Sequence, residues 1–309
     1  MSQSSAQTFQ SALERRVRAV ETLLAALLDE RPRGGEILRP PRLLAAMRHG
    51  VLNGGKRLRP FLVLESAALF QADGEAALRV AASLECVHCY SLIHDDLPAM
   101  DDDDLRRGQP TVHRAFDEAT AILAGDGLLT CAFDVLADPA THADPAVRAD
   151  LVLGLARGAG LGGMVGGQAL DLEAEKKTEP HAPPFVMTMQ AMKTGALLLH
   201  AIDAGARIGG ANAGQRAALD RYGRALGACF QVADDILDAE GDEAALGKRA
   251  GKDAGRNKAT LVAALGLEAA RTRRDTLAIE AIEALTAGDF GARADVLAEA
   301  ARFTAARRS

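Results

Sequence analysis

Asp95, Asp96, Asp101, Asp102, Asp103 and Asp104 fall within ten residues and are followed at once by Arg106 and Arg107. Two carboxylates about 6 Å apart repel by roughly 3 kcal/mol at an effective dielectric near 20, so a cluster this dense calls for a positive partner. Pro98 ends the apolar helix carrying Leu84, Val87, Leu92 and Ile93 near Leu97, which leaves Asp95 and Asp96 at its mouth. Hard oxygen donors without a histidine pair suit Mg²⁺, with Mn²⁺ as an alternative, and Mg²⁺ readily shares its shell with phosphate oxygens. Taken alone, the stretch also reads as a solvated acidic loop.

A second cluster, FQVADDILD at 230–238, argues against solvation. Asp234 and Asp238 stand at i and i+4, on one helix face, with Asp235 beside them. Together the two clusters read as a carboxylate cage for magnesium diphosphate. Cations recur at other points along the chain. Lys56 and Arg59 lie three apart beside Gly54 and Gly55, where bare backbone lets an anion approach, although an ordinary basic helix start has the same appearance. His88, Ser91 and Asp95 share a helical stripe. Lys193, followed by Thr194, sits in the middle of an apolar segment, which is unusual unless an anion meets it. Gln168 and Asp171 can face the same cavity.

The elements that must carry these groups are helices. Alanine, leucine, glycine and arginine dominate, aromatic residues make up 4%, and tryptophan is absent, which indicates an all-α chain. Phe9, Leu13, Val17, Val20, Leu24 and Leu27 mark a helix over 8–29, after a start at 1–8 expected to be disordered. Further helices are expected around Leu43–Val51, from Pro60 through Phe70, and over 75–97, 115–137, 146–173 (interrupted by GLGGMVGGQ at 160–168), 185–206 and 212–238, with two or three more from Thr260 to Ala305. Close packing of helix backbones explains Gly125 and Gly127 inside a helix. Residues 239–258, with Lys248, Arg249, Lys252, Arg256 and Lys258 among glycines, read as a basic lid or a solvated loop. No strand pattern and no internal repeat are evident.

No composition break divides the 309 residues, so one domain is expected over 1–309. A net charge of -6 argues against nucleic acid. The polar start MSQSSAQTFQ and the lack of an uninterrupted apolar run of membrane-spanning length lead to the expectation of a cytoplasmic protein without membrane insertion. Cys86 and Cys89 form a C-x-x-C with no second pair and read as buried reduced thiols.

GGKRLRP at 54–60, SLIHDDLPAMDDDDLRRG at 91–108, MKTGALL at 192–198 and FQVADDILD at 230–238, in this order, resemble the trans-isoprenyl diphosphate synthases. With Pro98 and Ala99 inserted between its aspartates, the first motif is most similar to that of the bacterial farnesyl diphosphate synthases. The resemblance implies a single all-α isoprenoid synthase fold around a deep central cavity, a homodimer, and Mg²⁺-dependent condensation of isopentenyl diphosphate with an allylic diphosphate. It implies three Mg²⁺ on Asp95, Asp101 and Asp234, supported by Asp96, Asp235 and Asp238. The allylic diphosphate is then expected on Arg106, Lys193, Lys248 and Lys258, and isopentenyl diphosphate on Lys56, Arg59, His88 and Arg107. Thr194 and Gln231 are expected near the allylic cation, and Tyr90 or Ser91 to limit chain length, with farnesyl diphosphate as main product. Geranyl or geranylgeranyl diphosphate, a terpene cyclase and a non-catalytic subunit are the alternatives. Intact aspartate motifs and a second anion site count against the last two. Met192, where relatives often carry a polar residue, departs from the pattern.

Overall fold

The computed structural model describes residues 3–72, 74–176, 181–240 and 259–307, with the backbone alone for 3–8. The first helix, α1 (Gln3–Leu27), begins inside the stretch expected to be disordered, and its predicted stripe is the buried face: Phe9, Val20, Leu24 and Leu27 are all in the core. α2 (Pro41–Leu52) starts on a proline, where the missing N–H is no loss, and ends at Asn53 before the glycine pair. α3 (Leu58–Ala68) is buried without a break from Pro60 to Ala67, so it runs through the middle of the molecule. α4 (Gly74–Asp95) lies against it and is also largely buried.

Past α4 the chain turns back on itself. Asp101 donates its backbone N–H to the carbonyl of Asp95 at 2.7 Å, and Asp103 to that of Asp96 at 3.2 Å, which folds the acidic loop over the helix end. A short antiparallel ladder then pairs β1 (Leu105–Arg106) with β2 (Gln109–Pro110), a feature the sequence reading missed. Arg107 and Gly108, between the strands, both have positive φ, the signature of the tight turn whose twist suits a hairpin. The hairpin stiffens the segment that carries both arginines.

α5 (Val112–Ala115) leads to α6 (Glu118–Ala137), which packs along α4 and α2. Its glycines admit side chains and not the backbones expected: a β-carbon on Gly125 would strike the ring of His94, and one on Gly127 would crowd Met47. α7 (Pro145–Ala159) and α8 (Met164–Glu175) are separated within the glycine run, as expected. The predicted helix over 185–206 is three pieces: α9 (Pro183–Gln190), a π turn (Ala191–Gly195) and α10 (Ala196–Ile208). A π turn inserts a residue into the helical ladder and commonly marks a functional position. Here it holds Lys193 and Thr194.

α11 (Ala213–Glu240) is the long strut that ends in the second aspartate cluster. α12 (Leu261–Leu265), α13 (Leu267–Ala287), a 3₁₀ turn (Gly291–Ala294) and α14 (Asp295–Ala306) follow; α13 lies along α11, and α14 reaches back to α1 and α3. The hydroxyl of Tyr222, fully buried, donates to the carbonyl of Leu297 at 2.8 Å and fixes α14 on α11. The basic stretch with Lys248 and Lys258 lies outside the described residues.

Contrary to the sequence reading, three helical stretches are long and apolar enough to cross a membrane by length and composition: Gly74–Asp95, Glu118–Ala137 and Pro183–Ile208. The first spends that surface on the core, with 72% of the apolar window buried, whereas α6 has only 39% of its window buried. The four cysteines are free thiols; Cys86, Cys89 and Cys229 are buried and Cys131 partly so. Burial and the Glu85 carboxylate push the Cys89 thiol up to about 12, which keeps it protonated and inert.

The approach of α8 to the π turn leaves no room for a side chain at Gly167. A β-carbon on Gly167 would meet the backbone nitrogen of Lys193 and lie 2.6 Å from its Cα. Gly167→Ala is therefore expected to shift the π turn, lower stability by about 1–3 kcal/mol in denaturant titration, and reduce catalysis in parallel.

Candidate active site

The glycine pair and the basic residues after it open on a cavity of about 780 Å³ between α1, α3, the end of α4, α11 and the C-terminal residues. Lys56, Arg59, His88 and Arg107 all stand in its wall, as the sequence reading required. Gly54 and Gly55 have positive φ, and a β-carbon on Gly55 would run into the Arg107 guanidinium. Arg107 donates to Asn53 Oδ1 at 3.1 Å and to the carbonyl of Gly54, so the hairpin arginine clasps the glycine loop. Arg59 Nη1 lies 3.4 Å from His88 Nε2. Burial, then the neighbouring Arg59, Arg107 and Arg106, hold the His88 imidazole well below its usual range, so it is neutral and its Nε2 accepts from the guanidinium. Arg59 Nε is buried without a partner among the described residues. Burial also lowers Lys56, with Arg307 adding to the effect and Asp234 opposing it. Cations held this close, one with an orphaned donor, form a site complementary to a polyanion.

The first aspartate motif divides its labour. Asp96 is buried and takes a forked contact from Arg106, with Nε at 2.8 and 2.9 Å and Nη2 at 2.5 Å. The contact fixes the direction of the Arg106 guanidinium. Burial pushes the Asp95 carboxyl up to about 6; the Lys193 ammonium draws it down and Asp101 and Asp96 draw it up. A buried carboxyl beside two other aspartates gains from added positive charge, which a divalent cation can supply. Lys193 Nζ meets the buried Asp171 at Oδ2, 2.5 Å away, which pairs the lysine of the π turn with a carboxylate of α8.

In the second motif the three aspartates part ways. Asp234 Oδ1 is 3.1 Å from Arg307, whose guanidinium lies 4.5 Å from the centre of the Phe230 ring. Asp235 is turned inward: Gln190 Nε2 donates to its carboxylate at 2.9 and 3.2 Å, and the N–H of Leu261 donates at 2.7 Å. These bonds hold α9 and the start of α12 against α11. Asp238, one turn beyond Asp234, is half-buried at the end of α11. Among the described residues no three carboxylate, thiol or imidazole groups converge to hold an ion by themselves.

Gln231 is placed differently from the rest. It lines a second cavity of about 740 Å³, mainly apolar, between α9, the π turn, α10, α11 and the α12–α13 region, with Met192 and Gly195 also in its wall and no aspartate. Thr194 is buried one residue from Lys193. Tyr90 is 6% exposed and packs edge-on against His94 at 5.7 Å, while the Ser91 hydroxyl donates back to the His88 carbonyl at 2.8 Å. Three residues escaped the sequence reading: Arg57, Glu85 and Arg307. A lone glutamate inside the apolar run of α4 was the available signal for Glu85, of the same kind as the one that singled out Lys193.

Comparison with known proteins accords with this geometry. Residues 40–291 match the polyprenyl synthetase family model. The chain is 45% identical over 274 residues to the farnesyl diphosphate synthase of Geobacillus stearothermophilus, covering 88% of this chain and 89% of that one. To the farnesyl diphosphate synthase of Escherichia coli it is 48% identical over 247 residues, 79% of this chain and 81% of the other. Among solved structures, an FPP/GFPP synthase from Zymomonas mobilis superposes with a TM-score of 0.86 at 44% identity, covering 97% of this chain and 100% of that one. A geranyltransferase from Helicobacter pylori, complexed with magnesium and isoprenyl diphosphate, gives 0.80 at 32% identity, covering 98% and 97%. Over its aspartate motifs, its basic glycine loop and its whole helical frame, this chain belongs to the polyprenyl synthetase family.

Proposed function

We propose that the protein condenses isopentenyl diphosphate with dimethylallyl and geranyl diphosphates to make mainly farnesyl diphosphate, with release of pyrophosphate. The observation that carries this reading is the pairing of two anion sites of opposite character: one ringed by Lys56, Arg59, His88 and Arg107, the other built from the aspartate motifs with Arg106 and Lys193. A cyclase acting on one diphosphate has no use for the first. Relatives named farnesyl diphosphate synthase support the product.

Asp95, Asp101, Asp234 and Asp238 are the residues suited to hold Mg²⁺, which when bound neutralises the diphosphate of the allylic substrate. Arg106, aimed by Asp96, and Lys193, steadied by Asp171, hold the leaving diphosphate as negative charge builds on it. Lys56, Arg59 and Arg107 fix the second substrate without metal, and the neutral His88 adds a ring nitrogen to that site. Thr194 borders Lys193 on the π turn, where its hydroxyl is suited to steady the reacting end. Departing pyrophosphate serves as the base for the final proton. Lys248 and Lys258 complete the allylic site in this reading. A homodimer is supported by the exposed Ile122 and Leu123 on α6, whose apolar surface the fold leaves half-used. A cytoplasmic location fits the four free cysteines.

Three outcomes are expected. Chelation should abolish turnover and Mg²⁺ restore it, and Asp95→Ala or Asp234→Ala should reduce kcat by roughly 10²–10³-fold, as loss of one electrostatic stabiliser does elsewhere; full turnover in either variant, measured by product formation, rejects the metal assignment. Lys56→Ala or Arg59→Ala should raise KM for isopentenyl diphosphate by roughly 10-fold or more, the value of a charged hydrogen bond, with a smaller effect on the allylic KM. Tyr90→Ala should lengthen the product to twenty carbons or more; an unchanged chain-length distribution places the stop elsewhere.

A further inference from the structure

Arg57 lies between two cations of the anion cavity and, like Glu85, borders that cavity, yet its own side chain is 0% exposed to solvent. Its Nη1 meets Glu85 Oε1 at 2.6 Å, and the Glu85 side chain is 1% exposed. Its Nη2 donates to the carbonyl of Val51 at 2.5 Å and lies 3.4 Å from Glu21 Oε1. One guanidinium thus joins α1, α2 and α4 directly beneath the glycine loop. The backbone at Arg57 is left-handed, φ 47°, a conformation unfavourable for any residue with a β-carbon, and its carbonyl accepts from Phe61 N at 3.0 Å to begin α3. Lys56 precedes that strained residue and Arg59 follows it by two, so both take their direction from it. Glu85 stands one turn before His88 on α4, the residue that accepts from Arg59.

A buried ion pair is a poor way to gain stability, because a well-packed apolar pair of similar size commonly does as well or better. Here such a pair coincides with a strained residue at the loop that presents the cations. We propose that Arg57 and Glu85 are positioning residues for the metal-free diphosphate site: they lock the loop 53–59 so that Lys56 and Arg59 converge on the anion, and they do not touch it themselves. The proposal rests on the reading of that cavity as the isopentenyl diphosphate site.

The test uses two readouts, calorimetric binding of pyrophosphate in the presence of a chelator, which needs no catalysis, and steady-state kinetics with both substrates. The double variant Arg57→Met with Glu85→Leu removes both charges and keeps much of the apolar volume. It should unfold near the temperature of the unmodified protein, bind pyrophosphate at least 10-fold more weakly, and raise KM for isopentenyl diphosphate by a similar factor while the allylic KM and kcat change less than 2-fold. Arg57→Lys, which keeps the charge but loses the fork, serves as the second variant and should show the same split at smaller amplitude. Pyrophosphate binding in a folded variant equal to that of the unmodified protein overturns the proposal and makes the pair structural only. If the unmodified protein binds no pyrophosphate without metal, the anion site and the proposal fall together. If it binds but makes no prenyl product, the function reading fails while the binding comparison still decides the role of the pair.

Discussion

Carboxylates and cations meet within a few residues of one another at the ends of α4 and α11, and every part of the site depends on keeping those charges apart and aimed. Like charges about 6 Å apart cost roughly 3 kcal/mol at an effective dielectric near 20, and more where the surroundings are drier. The protein answers with local counter-charges. Asp96 takes Arg106, Asp171 takes Lys193, Glu85 takes Arg57 and Asp234 takes Arg307. Not all of these pairs are alike. Arg57–Glu85 is sealed from solvent and serves the frame, whereas Arg106 and Lys193 remain partly exposed and able to meet a ligand.

The backbone around these pairs is held in conformations that an ordinary helix or loop would avoid. Arg57 and Arg107 are left-handed, Gly54 and Gly55 give the loop its bend, and Lys193 stands on a π turn pressed against Gly167. Each of these features lies within one or two residues of a cation. Strain of this kind persists only where the surroundings over-determine it, and here they do so with buried helices and forked hydrogen bonds. The rigid core of α3, α4, α10 and α11 is what allows flexible-looking basic residues to act as fixed points.

Neighbouring aspartates with similar sequence surroundings have come to do different work. Asp234 meets Arg307, while Asp235, one residue on, is rotated by about 100° around the helix and bonds to Gln190 and the start of α12. In the first motif, burial and carboxylate neighbours leave Asp95 in need of positive charge, while Asp96 is already paired. A count of acidic residues therefore treats as alike carboxylates whose partners differ.

Residue type and spacing by themselves determined the all-helical class, the two aspartate clusters and the basic residues beside the glycine pair, because helical periodicity, hard-oxygen chemistry and like-charge repulsion are local properties. They also marked Lys193, a charge out of keeping with its apolar segment, and Asp171 by its spacing from Gln168; that Lys193 and Asp171 meet is a tertiary fact. The break of the 185–206 helix at a π turn, the two-residue ladder that carries Arg106, and the side chains filling the space left by Gly125 and Gly127 depend on what packs against each segment. So does the burial of the Arg57 guanidinium: spacing marked Lys56 and Arg59 and left Arg57 without a role, and only Glu85, brought from another helix, gives it a buried partner.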